Sequence, residues 1–593
     1  MGIGGVGMAG LAVLLKDAGH DVSGCDVCAS KRTAWLERQG VRVFFGHSPD
    51  HLASIDELVV TPAVRADEPE LKAFRGIRRY RGEVLADIVG RRESIAVCGS
   101  HGKTTTATWI VRLLLALGED VAWCIGGETG EFPVAGTGKG VFVVEADESD
   151  GTLALYRPTT LVVNRCDYDH PDHFKTEAAY LACFETAKGQ AKEVIESETL
   201  APMDSLAPIF EALPEHNRKN ARAAVEVALR RGHAIDRILA ALPDVLATLP
   251  DRRFQRLSDR VVADYAHHPT EMACAVKMAR AACRGTLRVL FQPHRFSRTK
   301  SLCRQFPAAL ADADEVVICP TYAAFERPVE GGDVADLYRA CREAGLRRLL
   351  LARSCEEAWT HAQRQAKDGD LTLVLGAGDI VARLQEIPPR KIWIGAGSNT
   401  WKSDLDLPVE YVRTSGPADA PGASLKIPWM AGIPGTVGGW IKMNAGAFGH
   451  SISEALEAVK ADGRWIAAAD CGFAYRHSEI AGEIQDFRLK PVAADDTDYL
   501  ARRKKFPAGT FGSFFKNPPG DHAGRLLEAA GAKELRVGGA YVWQEHANVI
   551  VRGEGATPSD VLALARLMRN RVWFRLGVRL EPEVCGIEWE ELT

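Results

Sequence analysis

The run "SIAVCGSHGKTTTATW" at 94–109 restricts the fold more than any other stretch of the chain. An apolar segment of strand length passes through two glycines into Lys103 and three threonines, then into a helical pattern. Apolar residues on both faces suit a parallel strand covered on both sides. A parallel neighbour needs a long crossover, usually a helix. The turn between strand and helix directs backbone N–H groups and the positive end of a helix dipole at an anion. The usual phosphate loop has a glycine where this chain has Val97, so Gly99 and Gly102 must make the turn. Lys103 then reaches the terminal phosphates of a nucleotide, and the Thr104 hydroxyl suits Mg²⁺.

The same alternation surrounds this run. Residues 1–90 open with the glycine turn "GIGGVG", a helix and the strand "HDVSGCD". "GVFVVEAD" and "TTLVVNRCD" are buried-strand runs, 217–248 is helical, and "RVVADYA", "LRVLFQP", "EVVICP" and "LTLVLGAG" give further strands. "LQEIPPR" at 384–390 is the linker, punctuated by Pro388 and Pro389. Beyond it glycines abound, strands are short and helices few, chiefly 558–575. A chain of 593 residues far exceeds the roughly 250–300 at which one core stops growing, so several domains are expected.

A net charge of −5 gives no reason to expect a nucleic-acid surface. No apolar run of about 18 residues is present, so no membrane-spanning helix is expected. The apolar opening lacks the basic start of a signal sequence. The 14 cysteines are scattered, with Cys25 and Cys28 the only C-x-x-C, and read as reduced thiols of a cytoplasmic protein.

Chemistry gathers at strand ends. Glu145, Asp147, Glu148 and Asp150 crowd the end of one run, a costly density unless a cation compensates it. Asp169, His170, Asp172 and His173 end the next; zinc is the alternative there, without a further cluster to complete it. "GIGGVG" with Asp26 has dinucleotide-fingerprint spacing and alone points to NAD. After the linker, "IGAGSN" and "AGIPGTVGGWIKMNAGAFG" allow a ligand close to backbone, or are loops that need positive φ. "CGFAYRHS" holds Tyr475 and Arg476, "FGSFFKNP" holds Ser513, Lys516 and Asn517, and "RLEPEVCGI" holds Glu581 and Glu583.

"GSHGKTTT", "EADESD", "DHPDHF" and "HNRKN", in that order, resemble the Mur ligases; "DYAHHPTE" and "FQPHRFSRT" resemble the UDP-N-acetylmuramate–L-alanine ligases among them. The resemblance implies an α/β ligase of three domains: a Rossmann-like UDP-binding domain (1–90), a central P-loop ATPase (91–248) and a C-terminal Rossmann-like domain (249–384). It implies that ATP converts the substrate carboxylate to an acyl phosphate, which the amine of L-alanine attacks. Gly99, Ser100, His101, Gly102, Lys103, Thr104 and Thr105 would hold ATP, with Asn217 and Asn220 at adenosine, Arg253 at the terminal phosphate and Asp264 at the ribose. Thr104 and Glu145 would hold one Mg²⁺ and His170 the second. Gly2, Gly4, Gly5 and Gly7, with Asp26, would hold the UDP diphosphate instead of NAD. Tyr265, His267, His294, Arg295 and Arg298 would line the amino-acid and phosphoryl pocket, and Lys103, His267 and Arg295 would be catalytic.

Taken together, the motifs at 391–590 resemble the UDP-N-acetylenolpyruvoylglucosamine reductases. That implies an α+β FAD-binding reductase region (391–593) that passes hydride from NADPH through FAD to the enolpyruvyl group. Ser513 would donate the proton, while Arg476 and Glu583 polarise the substrate carboxylate. Gly395, Gly397, Ser398, Asn399, Gly435, Thr436, Gly438, Gly439 and Asn444 would contact FAD. The implied partners are small molecules (UDP-sugars and L-alanine), with no nucleic acid and no membrane; a homo-oligomer is compatible.

Both halves are shorter than the resemblance implies. The strand that should precede the first glycine turn is missing or cut, the segment from His170 to His216 is short, and "IWIGAGSN" follows the linker directly. Arg552 stands where the reductase pattern has asparagine, and "NRCDYDH" departs from the ligase pattern. A sheet that loses central strands exposes edges and core. Two classes of function follow: a bifunctional enzyme with shortened domains, and a remnant with an incomplete ATP or FAD site that binds or scaffolds. Within the first, a ligase half that attaches a recycled murein peptide is the narrower alternative.

Overall fold

Strand Ser94–Cys98 is buried at every residue and paired in parallel on both sides, with Val141–Glu145 and Thr160–Val163. In this computed structural model the described residues are all except 62–63, 65–66, 128–132, 171–172, 212, 248, 325, 347, 395, 494, 496, 503–504 and 588–593. The chain divides into two units, Met1–Ser258 with Val262–Tyr265, and Asp259–Val261 with Ala266–Thr593.

The main sheet of the first unit has six strands in the order Glu193–Glu196, Thr160–Val163, Ser94–Cys98, Val141–Glu145, Val121–Cys124 and Ala135–Gly136. Only the last pairing is antiparallel. Successive side chains point to opposite faces. Ile95, Val97, Val141 and Val143 join a core with helices Lys103–Ala116, Glu215–Arg230 and Ile235–Leu246. Ala96, Cys98, Phe142 and Val144 join another with helices Val6–Asp17, Arg81–Gly90 and Glu177–Gln190. Two covered faces explain why these runs show no polar alternation. The short segment after His170 still forms helix Glu177–Gln190 and strand Glu193–Glu196, which extends the sheet past Thr160–Val163.

Within 1–90 the strands form two separate parallel pairs, Ser23–Asp26 with Arg42–Phe45, and Glu57–Val60 with Ile77–Tyr80. Among the described residues no strand precedes the glycine turn. Backbone N–H groups of Gly2 and Ile3 donate to Cys25 O at 2.8 and 3.0 Å, and Met1 N donates to Val59 O at 2.8 Å, so residues 1–3 touch both pairs.

In the second unit, four parallel strands run in the order Leu371–Leu375, Leu287–Phe291, Glu315–Ile318 and Leu349–Leu351. After Pro389 the character changes as expected. A single parallel pair, Arg390–Ile394 with Val409–Arg413, precedes the antiparallel sheet Arg464–Ala467, Leu456–Ala461 and Ile484–Leu489. A small antiparallel sheet, Arg536–Val537, Ala540–Val542 and Ile550–Arg552, packs on helix Pro558–Leu576. Among the described residues no helix is long and apolar enough to cross a membrane.

Helix Pro558–Leu576 starts with a Thr557–Asp560 capping box and Pro558 in its first turn, and ends at Gly577 with φ +72°. It packs on helix Val334–Glu343, across the linker in sequence. Asp333 caps that helix by accepting from Ala335 N at 2.9 Å, and it also accepts from Arg566 Nε and Nη2 at 3.1 and 3.0 Å. In return Asp560 accepts from Tyr338 Oη at 3.1 Å and Arg342 Nε at 3.0 Å. Burial opposes ionisation of Asp333, and Arg566 outweighs it, holding the carboxyl below its usual range.

Replacing Arg566 with Met leaves Asp333 buried without its cation and should lower the unfolding free energy by about 3–5 kcal/mol in chemical denaturation. Since the folded carboxyl is depressed, the pair contributes fully above the ordinary Asp range, and the contribution is lost as pH falls through the folded value. Arg566→Met should therefore flatten the acid loss of stability; a variant as stable as the parent at neutral pH would refute the pair's importance.

Candidate active site

Past Cys98 the chain turns through Gly99 (φ +125°) and Gly102 (φ +79°) before helix Lys103–Ala116 begins. Space as well as φ demands glycine: a Cβ on Gly102 would stand 2.5 Å from Asn220 Oδ1, and one on Gly99 2.8 Å from Asn164 Cβ. The loop is thereby pressed against the first turns of helix Glu215–Arg230, where Asn220 Nδ2 donates to Asn217 Oδ1 at 3.2 Å. Ser100 Oγ donates to Asp167 O at 2.6 Å, His101 Nε2 lies 3.1 Å from Asp167 Oδ2, and Thr105 is buried.

Lys103 Nζ donates to Gly99 O at 2.7 Å and to the two carboxylate oxygens of Glu148 at 2.8 and 2.9 Å. Glu148 has no exposed surface, so this ammonium is its compensating charge. Burial alone would lower Lys103; Glu148, Asp147 and Glu145 outweigh it and hold the ammonium protonated. Thr104 Oγ1 donates to Glu145 Oε1 at 3.1 Å, and Glu145 Oε2 accepts from Gly126 N at 2.7 Å. His170, at φ +57°, brings Nε2 to 3.6 Å from Glu148 and 3.7 Å from Asp169. Positive φ is uncommon for a non-glycine residue and clusters at functional sites. Burial pulls this imidazole down, and Glu148, Asp169 and Asp147 more than offset that. A hydroxyl, several carboxylates and one imidazole around a helix N-terminus suit a hard divalent cation together with phosphate. Asp172 lies outside the described residues.

The first glycine turn is fastened by Asp26, whose Oδ2 accepts from Gly4 N at 2.8 Å; Gly2 has φ +74° and Gly5 precedes helix Val6–Asp17. Gly7 sits under Arg81, where a Cβ would be 2.5 Å from Nη1. Arg81 Nη2 also donates to Asp147 Oδ2 at 3.2 Å, tying the glycine turn to the acidic strand end. The motifs did not single out Arg81, and no local pattern marks it. Asn164, whose Nδ2 donates to Thr106 Oγ1 at 3.0 Å, was likewise missed, although its place at a buried-strand end was a usable signal. Arg253, Asp264 and Tyr265 share one corner: Asp264 accepts from Phe254 N at 2.7 Å, and the Arg252 and Arg253 guanidinium groups lie 4.6 and 5.2 Å from the Tyr265 ring centre.

In the second unit, the His267 and His294 rings are 5.4 Å apart, and His294 stacks on Tyr322 at 5.6 Å. Arg298 Nη1 lies 3.4 Å from His294 Nδ1, and Arg295, at φ +68°, has Nη1 3.9 Å from Glu326. Two imidazoles and two guanidinium groups thus gather at the end of strand Leu287–Phe291.

A cavity of about 1130 Å³ opens in the glycine-rich region of the same unit. Gly397, Ser398, Asn399, Gly435, Thr436, Gly438 and Gly439 line it together with Arg476, Ser513 and Glu583. Its volume is of the order of the largest ligand pockets, roughly 1,000 Å³. Gly435 has φ +116°, and Thr436 caps helix Val437–Lys442 through Gly439 N. Arg476 Nε donates to Glu583 Oε1 at 2.8 Å, and Arg476 Nη2 donates to Gly446 O at 3.0 Å. Burial raises the Glu583 carboxyl above its usual range, and Arg476 only partly opposes this. Asn399 Nδ2 donates to Glu583 O at 3.1 Å. Asn444, at φ +42°, stands behind the cavity wall and donates to Ala474 O at 3.0 Å, holding the turn that carries Arg476. Gly395 lies outside the described residues.

Residues 1–92 match the Mur ligase family, catalytic domain, and 252–378 the Mur ligase, glutamate ligase domain. Residues 504–587 match the UDP-N-acetylenolpyruvoylglucosamine reductase, C-terminal domain. A UDP-N-acetylmuramate–L-alanine ligase of Kineococcus radiotolerans is 38% identical over 64% of this chain and 93% of its own length. One from Caulobacter is 33% identical over 64% of this chain and 93% of its own. The crystal structure of a UDP-N-acetylmuramate–alanine ligase from Thermotoga maritima superposes with a TM-score of 0.54 at 25% identity, covering 65% of this chain and 96% of that one. The chain therefore belongs to the Mur ligase family, and it carries, fused behind the ligase domains, a C-terminal domain of the UDP-N-acetylenolpyruvoylglucosamine reductase type.

Proposed function

We propose that this chain catalyses two consecutive steps of peptidoglycan precursor synthesis: reduction of UDP-N-acetylglucosamine enolpyruvate to UDP-N-acetylmuramate, and ATP-dependent ligation of L-alanine to that product. The proposed division is 1–90 for UDP-sugar, 91–248 for ATP, 249–384 for the amino acid and 391–593 for the reductase. The observation that carries the ligase reading is the Lys103–Glu148 pair at the N-terminus of helix Lys103–Ala116, beside Thr104 and Glu145. The curated ligase relatives support the same reading.

The ligase must bring a carboxylate and a triphosphate together, so neutralising negative charge is its main task. Lys103, kept protonated by its carboxylate neighbours, supplies a fixed cation for the transferred phosphoryl group. Thr104, Glu145 and His170 fit a divalent cation, which adds further neutralising charge when bound. His267, His294, Arg295 and Arg298 suit the amino-acid carboxylate and the oxyanion formed as the amine attacks.

For the reductase, the cavity with Gly397, Gly435, Gly438 and Gly439 in its wall has room for a flavin against backbone. FAD, when bound, supplies the hydride delivered from NADPH. Ser513 gives its hydroxyl proton to the carbanionic carbon. Glu583 and Arg476, joined at 2.8 Å, would polarise the substrate carboxylate, and the Arg476 guanidinium would offset the charge of the developing enolate.

The testing experiment supplies the purified chain with UDP-N-acetylglucosamine enolpyruvate, NADPH, ATP, Mg²⁺ and L-alanine. Flavin absorbance, NADPH loss and L-alanine-dependent phosphate release are expected together. Phosphate release only with a murein tripeptide would replace the L-alanine assignment, and a folded, flavin-free chain would sink the reductase half.

Lys103→Ala should reduce phosphate release by about 10²–10³-fold while leaving NADPH oxidation intact. Ser513→Ala should slow substrate-dependent NADPH oxidation by about 10²–10⁴-fold, yet leave flavin binding and flavin reduction by NADPH unchanged. Full turnover in the serine variant would remove Ser513 from the proton-donor role.

A further inference from the structure

The first 90 residues contain a buried constellation that neither activity uses. Cys25 lies in strand Ser23–Asp26, His47 just past strand Arg42–Phe45, His51 in the single turn Pro49–Leu52 and Glu70 in helix Pro69–Ala73. Cys25 Sγ donates to Glu70 Oε2 at 3.1 Å and is 3.2 Å from His47 Nδ1. His47 Nδ1 is 3.1 Å from Glu70 Oε2, and His51 Nδ1 is 3.3 Å from Glu70 Oε1. One donor atom each from Cys25, His51 and Glu70 falls within 4.8 Å of the other two.

Three features distinguish this cluster from an ordinary polar patch. Cys25 and Glu70 are each only 2% exposed, and among the described residues the ion-pair partners of Glu70 are the two histidines. A carboxylate so buried needs a compensating positive charge. His51 Nδ1 is buried without a hydrogen bond, because its 3.3 Å approach to Glu70 lacks the required geometry. Stacking on Phe44, with ring centres 4.6 Å apart, fixes the imidazole so that this nitrogen faces the cluster.

Thiolate, two imidazoles and a carboxylate form a zinc-type donor set, and structural zinc sites are closed and four-coordinate. Bond lengths of about 2.0–2.3 Å around a tetrahedral ion separate its donors by roughly 3.2–3.7 Å. Most of the contacts already lie within a few tenths of an ångström of that spacing, and His47 completes the set by moving towards His51. We propose that Cys25, His47, His51 and Glu70 bind one Zn²⁺ as a structural site. Binding displaces the Cys25 thiol proton to solvent and leaves the thiolate on the metal. The ion would link the two separate strand pairs of this region, since Cys25 and His47 belong with the first, and His51 and Glu70 lie on the segments around the second.

The test uses the full chain, stripped with a chelator and titrated with CoCl₂, then with ZnCl₂. One equivalent of Co²⁺ should give a thiolate-to-cobalt charge-transfer band that Zn²⁺ abolishes, and Zn²⁺ should raise the thermal midpoint. Cys25→Ser should lose the band and His51→Ala should weaken it, while Cys28→Ser, at an exposed cysteine outside the cluster, should keep it. No band in the parent chain would overturn the proposal, as would a band that survives Cys25→Ser. If Cys25→Ser does not fold, the parent titration and His51→Ala still decide the matter.

Discussion

A glutamate with no exposed surface is tolerated in this chain because a lysine ammonium sits within 3 Å of it. Glu148 and Lys103 lie on the two strand-to-loop junctions that meet above adjacent strands, so the sheet register fixes their pairing. The rest of the ligase loop is arranged around that pair. Gly99 and Gly102 let the backbone pass beneath it, Thr104 reaches Glu145 beside it, and His170 borders it from the next strand. In a low-dielectric site the attraction within such a pair is strong but is offset by the cost of desolvating both charges, whereas breaking one half leaves a buried charge uncompensated and is expensive.

The fusion is built on a second buried charge network. Helices Val334–Glu343 and Pro558–Leu576 come from the two sides of the Pro388–Pro389 linker, and each lends an acidic residue from its N-terminal end to side chains of the other. Asp333 and Asp560 also serve their own helix starts, so the same carboxylates that begin the helices join them. Ser559 extends the network, donating to Asp404 and accepting from Leu351 N. Burying these polar groups is compatible with stability because they satisfy one another.

What was legible in the sequence followed from local chemistry. The strand runs, the phosphate loop, the linker and the long terminal helix each announce themselves within about twenty residues, through periodicity and capping. The glycine-rich motifs of the reductase region converge on one cavity with Glu583, which is 184 residues from Asn399. What was hidden depends on tertiary pairing between residues that carry no motif. Arg81 is 66 residues from Asp147, and Arg566 is 233 from Asp333. Glu70 is 45 residues from Cys25, and the C-x-x-C formed by Cys25 and Cys28 points to neither Glu70 nor the histidines. Length alone also does not say what a short segment builds: the residues after His170 form helix Glu177–Gln190 and the outer strand Glu193–Glu196.

The crossed carboxylates between helices Val334–Glu343 and Pro558–Leu576 also bear on how the chain melts. Helices that share caps and a buried ion pair open together, so the boundary drawn by the linker is not a boundary of cooperativity. The 252–378 ligase domain and the reductase-type C-terminal domain lie in one compact unit. Unravelling the terminal helix would uncap its neighbour and strand Asp333 in an apolar setting. Divided at Pro388–Pro389, the chain would yield two fragments, each with a raw face and an unneutralised charge. Within this unit the two domains share one buried interface, and separating them would require rebuilding it on both sides.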